Sequence, residues 1–161
     1  MAMPVLKLRH TPQLRIGVLA SHPIVERALR DSLRSSKALR RLAAEVTPVS
    51  TSLPAECGQS YAVIIVDLTY VASDTDAIAR KLRSTFSASK LVAVVSPKND
   101  VVMFLQAGFS AVVPITVNFD NDLPCAISAV LSGSAWAPEP VMRDYAERVR
   151  GILESYSSVL S

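Results

Sequence analysis

The chain has 161 residues, half of them apolar, and a formal net charge of +3, which fits one compact domain. No apolar run approaches the roughly 20 residues that a membrane-spanning helix needs, and the first 15 residues lack the continuous apolar segment of a secretory signal. Cys57 and Cys125 have neither metal-ligand nor redox spacing. We therefore expect free thiols, no membrane association and a cytoplasmic location.

Strands and helices are predicted to alternate after residue 15. Apolar runs at 16–20, 44–49, 61–66, 90–95 and 111–113 predict five strands. Apolar residues at helical spacing predict a first helix capped by Ser21, with Pro23 in its first turn, and further helices over 74–86, 99–107, 122–131 and 140–159. Residues 50–60 are too few for a crossover helix, so a loop or short turn is expected. The fold class is α/β, with a doubly wound five-stranded parallel sheet and an additional C-terminal helix.

Asp67 directly follows the predicted strand 61–66. Open α/β sheets bind their ligands at this carboxyl edge. No second acidic residue and no lysine occur at the other strand ends, so Asp67 is interpreted as a retained relic or a binding residue and not as a catalytic group; capping of nearby backbone amides is the alternative. The sequence has no nucleophilic triad, metal cluster or glycine-rich phosphate loop. We expect no enzymatic activity and no cofactor.

Five stretches together resemble one known family: RIGVLASHPIVERALRDSL, YAVIIVDLTY, KLVAVVSPKND, FLQAGFSAVVPI and SGSAWAPEPV. They resemble the receiver domain of NarL/FixJ (LuxR-type) two-component response regulators over about residues 15–142. The resemblance implies a receiver (flavodoxin-like) fold, with Asp67 at the phospho-acceptor position and Ser96 at the switch position. It divides the chain into a flexible lead (1–14), a receiver-like domain (15–135) and a linker or dimerisation helix (136–161). DNA binding is implied only through a further C-terminal helix-turn-helix domain.

Three positions depart from that family. Ala20 and Ser21 stand where it has two acids, and Ile115 stands where it has a lysine. Mg²⁺ prefers carboxylate and water ligands in near-octahedral array, and phosphoryl oxygens need a fixed cationic partner. We therefore expect a pseudo-receiver of a transcriptional response regulator, which controls dimerisation and output by protein or ligand contacts. The alternative is a phosphorylatable receiver, with Asp67 as acceptor in a phosphorelay and Mg²⁺ as cofactor.

Two apolar surfaces are candidates for a homodimer interface. The helix 99–107 has too many apolar residues for one buried stripe, so some should be exposed unless the last helix or a second copy covers them; we favour the second copy. The last helix carries apolar residues at alternating three- and four-residue steps. The interface candidates are Val101, Val102, Leu105, Met142, Tyr145, Val149 and Ile152, and Tyr156 continues the second series.

Two further features of the sequence are compatible with the binding of a ligand. Five basic residues form one positive stripe if the first helix extends far enough: Arg27, Arg30, Arg34, Lys37 and Arg41. Such a stripe binds anions or an acidic partner, although a solvated helix face is the simpler interpretation. Trp136 begins the segment Trp-Ala-Pro-Glu, where some receiver-like regulators bind cyclic di-GMP through Trp-apolar-Ser/Thr-Arg. Glu139 replaces the anion-binding arginine, so a cyclic dinucleotide or other small ligand is only an alternative, and Trp136 is expected to pack where the last helix leaves the domain.

Overall fold

A computed structural model describes residues 14–42, 44–49, 60–70 and 74–160. The predicted lead (apart from residue 14), the interval 50–59 and Cys57 lie outside these ranges. The strands are β1 (Arg15–Leu19), β2 (Glu45–Pro48), β3 (Val63–Asp67), β4 (Lys90–Val95) and β5 (Ala111–Pro114). The helices are α1 (Pro23–Ser35), α2 (Lys37–Arg41), α3 (Thr75–Thr85), α4 (Val101–Ala107), α5 (Phe119–Leu131) and α6 (Glu139–Leu160).

The five strands form one parallel sheet in the order β2-β1-β3-β4-β5. Consecutive residues of β3 point to opposite faces of the sheet, and both faces are covered by helices. Val63 and Ile65 pack in one core cluster with residues of α1 and α5, and Ile64 and Val66 pack in a second cluster with residues of α3 and α4. Burial on both faces explains the uninterrupted apolar runs of the strands. The predicted fold class is confirmed.

The N-terminal ends of α1 and α5 differ from the sequence-based prediction. His22, rather than Ser21, caps α1: its Nδ1 accepts a hydrogen bond from the Ile24 amide at 3.3 Å. Helix α5 begins at Phe119, three residues earlier than predicted, so Pro124 lies inside the helix. Gly108 ends α4 as predicted, with φ of 111°, because glycine adopts the left-handed conformation without a Cβ penalty.

Trp136 joins the start of α6 to the edge of the sheet. Its amide donates to the Ser110 carbonyl, and its carbonyl accepts from the Val112 amide, both at 3.1 Å. The half-buried side chain packs against the core cluster beneath α1 and α5. None of the helices in the described ranges is long and apolar enough to cross a membrane.

Candidate functional site: the pocket at Asp67

Asp67 is the last residue of β3, in the middle of the sheet. It is 8% exposed and is the only charged residue in the described part of the chain that is buried. Its Oδ1 accepts hydrogen bonds from the Thr69 hydroxyl at 2.6 Å and from the Thr69 amide at 3.1 Å. The amide-capping role considered from the sequence is therefore present, but it occupies only Oδ1. No described residue donates a hydrogen bond to Oδ2.

A cavity of about 590 Å³ opens beside this carboxylate. Ala20 and Ser21, which follow β1, line it together with Asp67, so the two non-acidic positions do meet Asp67 in space. The rest of the wall is mostly aliphatic and comes from the sheet and from one face of α3. The remaining lining residues are Leu19, Val49, Val66, Leu68, Ile78, Lys81, Leu82 and Thr85.

The donor set of this pocket does not fit Mg²⁺. A methyl group stands at Ala20 and a neutral hydroxyl at Ser21, which leaves Asp67 as the only carboxylate among the described residues of the lining. Within the described ranges, no group of three or more histidine, cysteine, aspartate or glutamate side chains could hold a metal ion. Mg²⁺ binds through carboxylates and retained waters, and a single carboxylate offers it little charge compensation.

Two expected site residues are not among those that line the cavity. Ser96 follows β4 and belongs to a tight turn: its amide donates to Asn99 Oδ1 at 2.9 Å, and its hydroxyl accepts from the Lys98 amide at 3.4 Å. Ile115 follows β5 and is 43% exposed. The structure therefore gathers Ala20, Ser21 and Asp67, while Ser96 has a turn-capping role of its own.

The positive stripe is not formed. Helix α1 ends at Ser35, and Ser36 caps the separate helix α2, so the five basic residues do not share one helix face. Arg30 pairs with Glu26 at 3.5 Å, and Arg34 donates to the Val46 carbonyl at 3.1 Å. A single stripe, expected only if the first helix extended far enough, is absent because the Ser36 cap interrupts the helix. Anion binding by Arg27, Arg30, Arg34, Lys37 and Arg41 stays a prediction.

The last helix of the same chain, rather than the favoured second copy, covers much of α4. Val101 and Val102 are only 7% and 8% exposed. Leu105, Val141 and Met142 are partly buried against the same cluster, so α6 of the same chain covers this helix. Met103 of α4 is still 46% exposed. On α6, the exposed large apolar residues lie on its outer half: Val149, Ile152, Leu153, Tyr156, Val159 and Leu160.

At the start of α6, Glu139 accepts an ion-paired hydrogen bond from Arg143 at 2.7 Å. Arg143 is the first basic residue after Trp136 in the sequence, and a cyclic dinucleotide bound there would need a cation. The charge of Arg143 is engaged within the helix, at an exposed site.

Sequence reasoning missed the contribution of α3 to the pocket. Ile78, Lys81, Leu82 and Thr85 line it from one helix face, at steps of three, one and three residues. Ile78 and Leu82 are four residues apart, a spacing that places both on one face of a helix, and that pattern already contained the signal. A lysine between two inward-facing residues points toward the same groove.

No protein-family model and no curated protein sequence matches the chain. Solved structures do match. The isolated REC domain of RcsB from Salmonella enterica serovar Typhimurium, in the apo form, aligns with a TM-score of 0.65 and 21% identity, over 83% of this chain and 99% of that domain. A LuxR-family two-component response regulator from Aurantimonas sp. SI85-9A1 aligns with a TM-score of 0.64 and 19% identity, over 84% and 97%.

A longer RcsB response regulator from Salmonella typhimurium aligns with a TM-score of 0.63 and 21% identity, over 81% of this chain and 66% of that chain. The present chain thus spans slightly less than two thirds of the longer RcsB chain and almost all of the isolated domain. At these identities the likeness concerns the fold. The chain has the receiver fold of LuxR-family response regulators, with Asp67 at the carboxyl end of the central strand.

Proposed function

We propose that the chain is a pseudo-receiver domain of a transcriptional response regulator, which controls dimerisation and output by protein or ligand contacts instead of phosphorylation. One observation carries the proposal: Asp67 shares its pocket with Ala20 and Ser21, and none of the other described lining residues is acidic. The RcsB structures concern a regulator that interacts with DNA, and a similar regulator from Silicibacter pomeroyi is described as DNA-binding. DNA contact by a further domain of the present protein belongs to the proposal.

The oxygens of a transferring phosphoryl group carry charge that a divalent ion and a fixed cation must offset in the transition state. A unit charge about 4 Å away contributes on the order of 4 kcal/mol at an effective dielectric constant near 20. Without an ion at Ala20 and Ser21, and with Ile115 in place of a cation, the buried carboxylate of Asp67 would face the incoming phosphoryl group unassisted.

Incubation of the chain with acetyl phosphate and Mg²⁺ is expected to add no phosphoryl group. Intact-mass spectrometry checks the result, with a conventional receiver domain as the positive control. The Asp67→Asn variant serves as the matched negative control, because asparagine keeps an oxygen that can accept from Thr69. A stoichiometric phosphoryl adduct that is present in the wild type and missing in Asp67→Asn would overturn the pseudo-receiver proposal.

For the dimer, the supporting observation is the outer half of α6. Val149, Ile152, Tyr156 and Val159 follow one another at steps of three and four residues and are exposed in the single chain. This spacing places them on one face, as in two helices that pack knobs-into-holes. The candidate interface therefore lies there, beyond the part of α6 that covers α4.

Ile152→Asp is expected to weaken self-association at least about tenfold, because a charge would enter an apolar helix–helix contact at a cost above about 1.4 kcal/mol. Ile152 is 56% exposed, so the folded monomer should tolerate the change. Light scattering over a concentration series measures the dissociation constant. Ser157→Asp adds the same charge on the same helix, outside the apolar series, and should leave it unchanged. Equal dissociation constants for the two variants would exclude this face as the interface.

A further inference from the structure

The pocket at Asp67 contains two charged groups of opposite sign that do not satisfy each other. Asp67 is more than nine-tenths buried, and its Oδ2 accepts no hydrogen bond from the described residues. Lys81 lines the same cavity and forms no ion pair within the described ranges. Asp67 Oδ2 is not among the buried atoms that lack a partner, so it is accessible from the cavity, as is the exposed Lys81 side chain. A ligand in the cavity can therefore pair with both groups.

The walls between these charges are aliphatic. Leu19, Val49 and Val66 come from the sheet side, and Ile78 and Leu82 come from α3. A cavity of about 590 Å³ falls within the range of pockets that enclose small organic molecules. Such walls favour a ligand with an apolar body, because the removal of apolar surface from water drives its binding.

The charges restrict the ligand further. A purely cationic ligand would pair with Asp67 but would also meet the Lys81 ammonium group. A purely anionic ligand would meet the buried Asp67 carboxylate, which lacks a second cation nearby to offset it. A zwitterion pairs with both groups at once and brings no like charges together.

We propose that this pocket binds a small aliphatic zwitterion, such as a short apolar peptide, with its ammonium group at Asp67 and its carboxylate at Lys81. Ser21 adds a hydroxyl to the same lining. This proposal deepens the proposed function, on which it rests: a phosphoryl group on Asp67 would fill the place of the ammonium group. In this role, Asp67 is retained as a binding residue.

The test is isothermal titration of the full chain with leucyl-leucine, whose apolar body separates one ammonium group from one carboxylate. Two analogues each remove one charge: leucyl-leucine amide lacks the carboxylate, and N-acetyl-leucyl-leucine lacks the ammonium group. We expect saturable binding of one dipeptide per chain. Each analogue should bind about tenfold more weakly or worse, which corresponds to about 1.4 kcal/mol per lost ion pair.

Variants of Asp67 and Lys81 test the two proposed ion pairs with the dipeptide. Asp67→Asn and Lys81→Met should each weaken leucyl-leucine about tenfold, because each removes one ion pair and keeps most of the side-chain volume. Lys81 is exposed on α3, so its variant should fold even if Asp67→Asn does not. The matched controls are Arg80→Met, on α3 but outside the lining, and Asp31→Asn on α1; both should bind like the wild type.

No heat of binding from leucyl-leucine at millimolar concentration would overturn the ligand assignment, as would equal affinity for the single-charge analogues or for Lys81→Met. None of these results bears on phosphorylation, which intact-mass spectrometry after incubation with acetyl phosphate measures separately. Conversely, a phosphoryl adduct on Asp67 would overturn the pseudo-receiver function even if the dipeptide bound.

Discussion

The triple variant Ala20→Asp, Ser21→Asp, Ile115→Lys is expected to bind Mg²⁺ and to accept a phosphoryl group at Asp67. Ala20 and Ser21 already line the cavity with Asp67, so two new carboxylates would meet the existing one. Three carboxylates and several waters form a donor set that suits Mg²⁺. Lysine at position 115 would replace an exposed side chain, and its long stem would let the ammonium group approach the pocket.

The expected gain is large. Each added charge contributes on the order of 4 kcal/mol at about 4 Å, and every 1.36 kcal/mol is about tenfold in rate, so the phosphorylation rate should rise at least about 100-fold. Intact mass after incubation with acetyl phosphate gives the yield, with and without Mg²⁺. The same triple variant carrying Asp67→Asn controls for reaction elsewhere. A folded triple variant that binds no Mg²⁺ would contradict the idea that side-chain identity alone disables the pocket.

Gly17→Ala is expected to lower the free energy of unfolding by about 2–3 kcal/mol. A Cβ at position 17 would collide with Cγ2 of Val49 and would lie 3.1 Å from Cδ1 of Tyr61. Val49 has little freedom to retreat, since its amide donates to the Val18 carbonyl at 2.9 Å. Because Gly17 lies in β1, which pairs on both sides, the strain would spread through the centre of the sheet.

Urea unfolding followed by circular dichroism measures this change. Gly151→Ala is the matched control: it lies in α6, an added Cβ meets nothing within 4 Å, and alanine favours a helix. That variant should be as stable as the wild type or slightly more stable. An unchanged urea midpoint for Gly17→Ala would show that Val49 and Tyr61 yield more easily than their packing indicates.

The fold could be predicted from the sequence because its strands are buried on both faces. Continuous apolar runs such as 61–66 and 90–95 are shorter than most helices and are typical of strands that helices cover on both sides. All five predicted strands are present, with bounds that differ by at most two residues. The position of Asp67 followed from the same reasoning. Helix ends were harder to predict, since His22 and Ser21 both suit a cap and only the local geometry selects between them.

What the sequence did not determine depends on contacts between distant segments. The burial of Val101 and Val102 depends on where α6 packs, and spacing alone could not distinguish α6 of the same chain from a second copy. Likewise, Lys81 became part of the pocket only once α3 lay beside β1 and β3. The five basic residues do not share one helix for a local reason: α1 ends at Ser35, and Ser36 caps the separate helix α2.

Pairing of Trp136 with Ser110 and Val112 has a consequence for how two molecules can meet. It occupies hydrogen-bonding groups on the outer margin of β5, where another strand could otherwise add. On the opposite margin, Pro48 of β2 has no amide hydrogen, and the neighbouring Val46 carbonyl accepts from Arg34. Growth of the sheet from molecule to molecule is thus disfavoured on both sides, which leaves side-by-side helices as the simplest route to assembly.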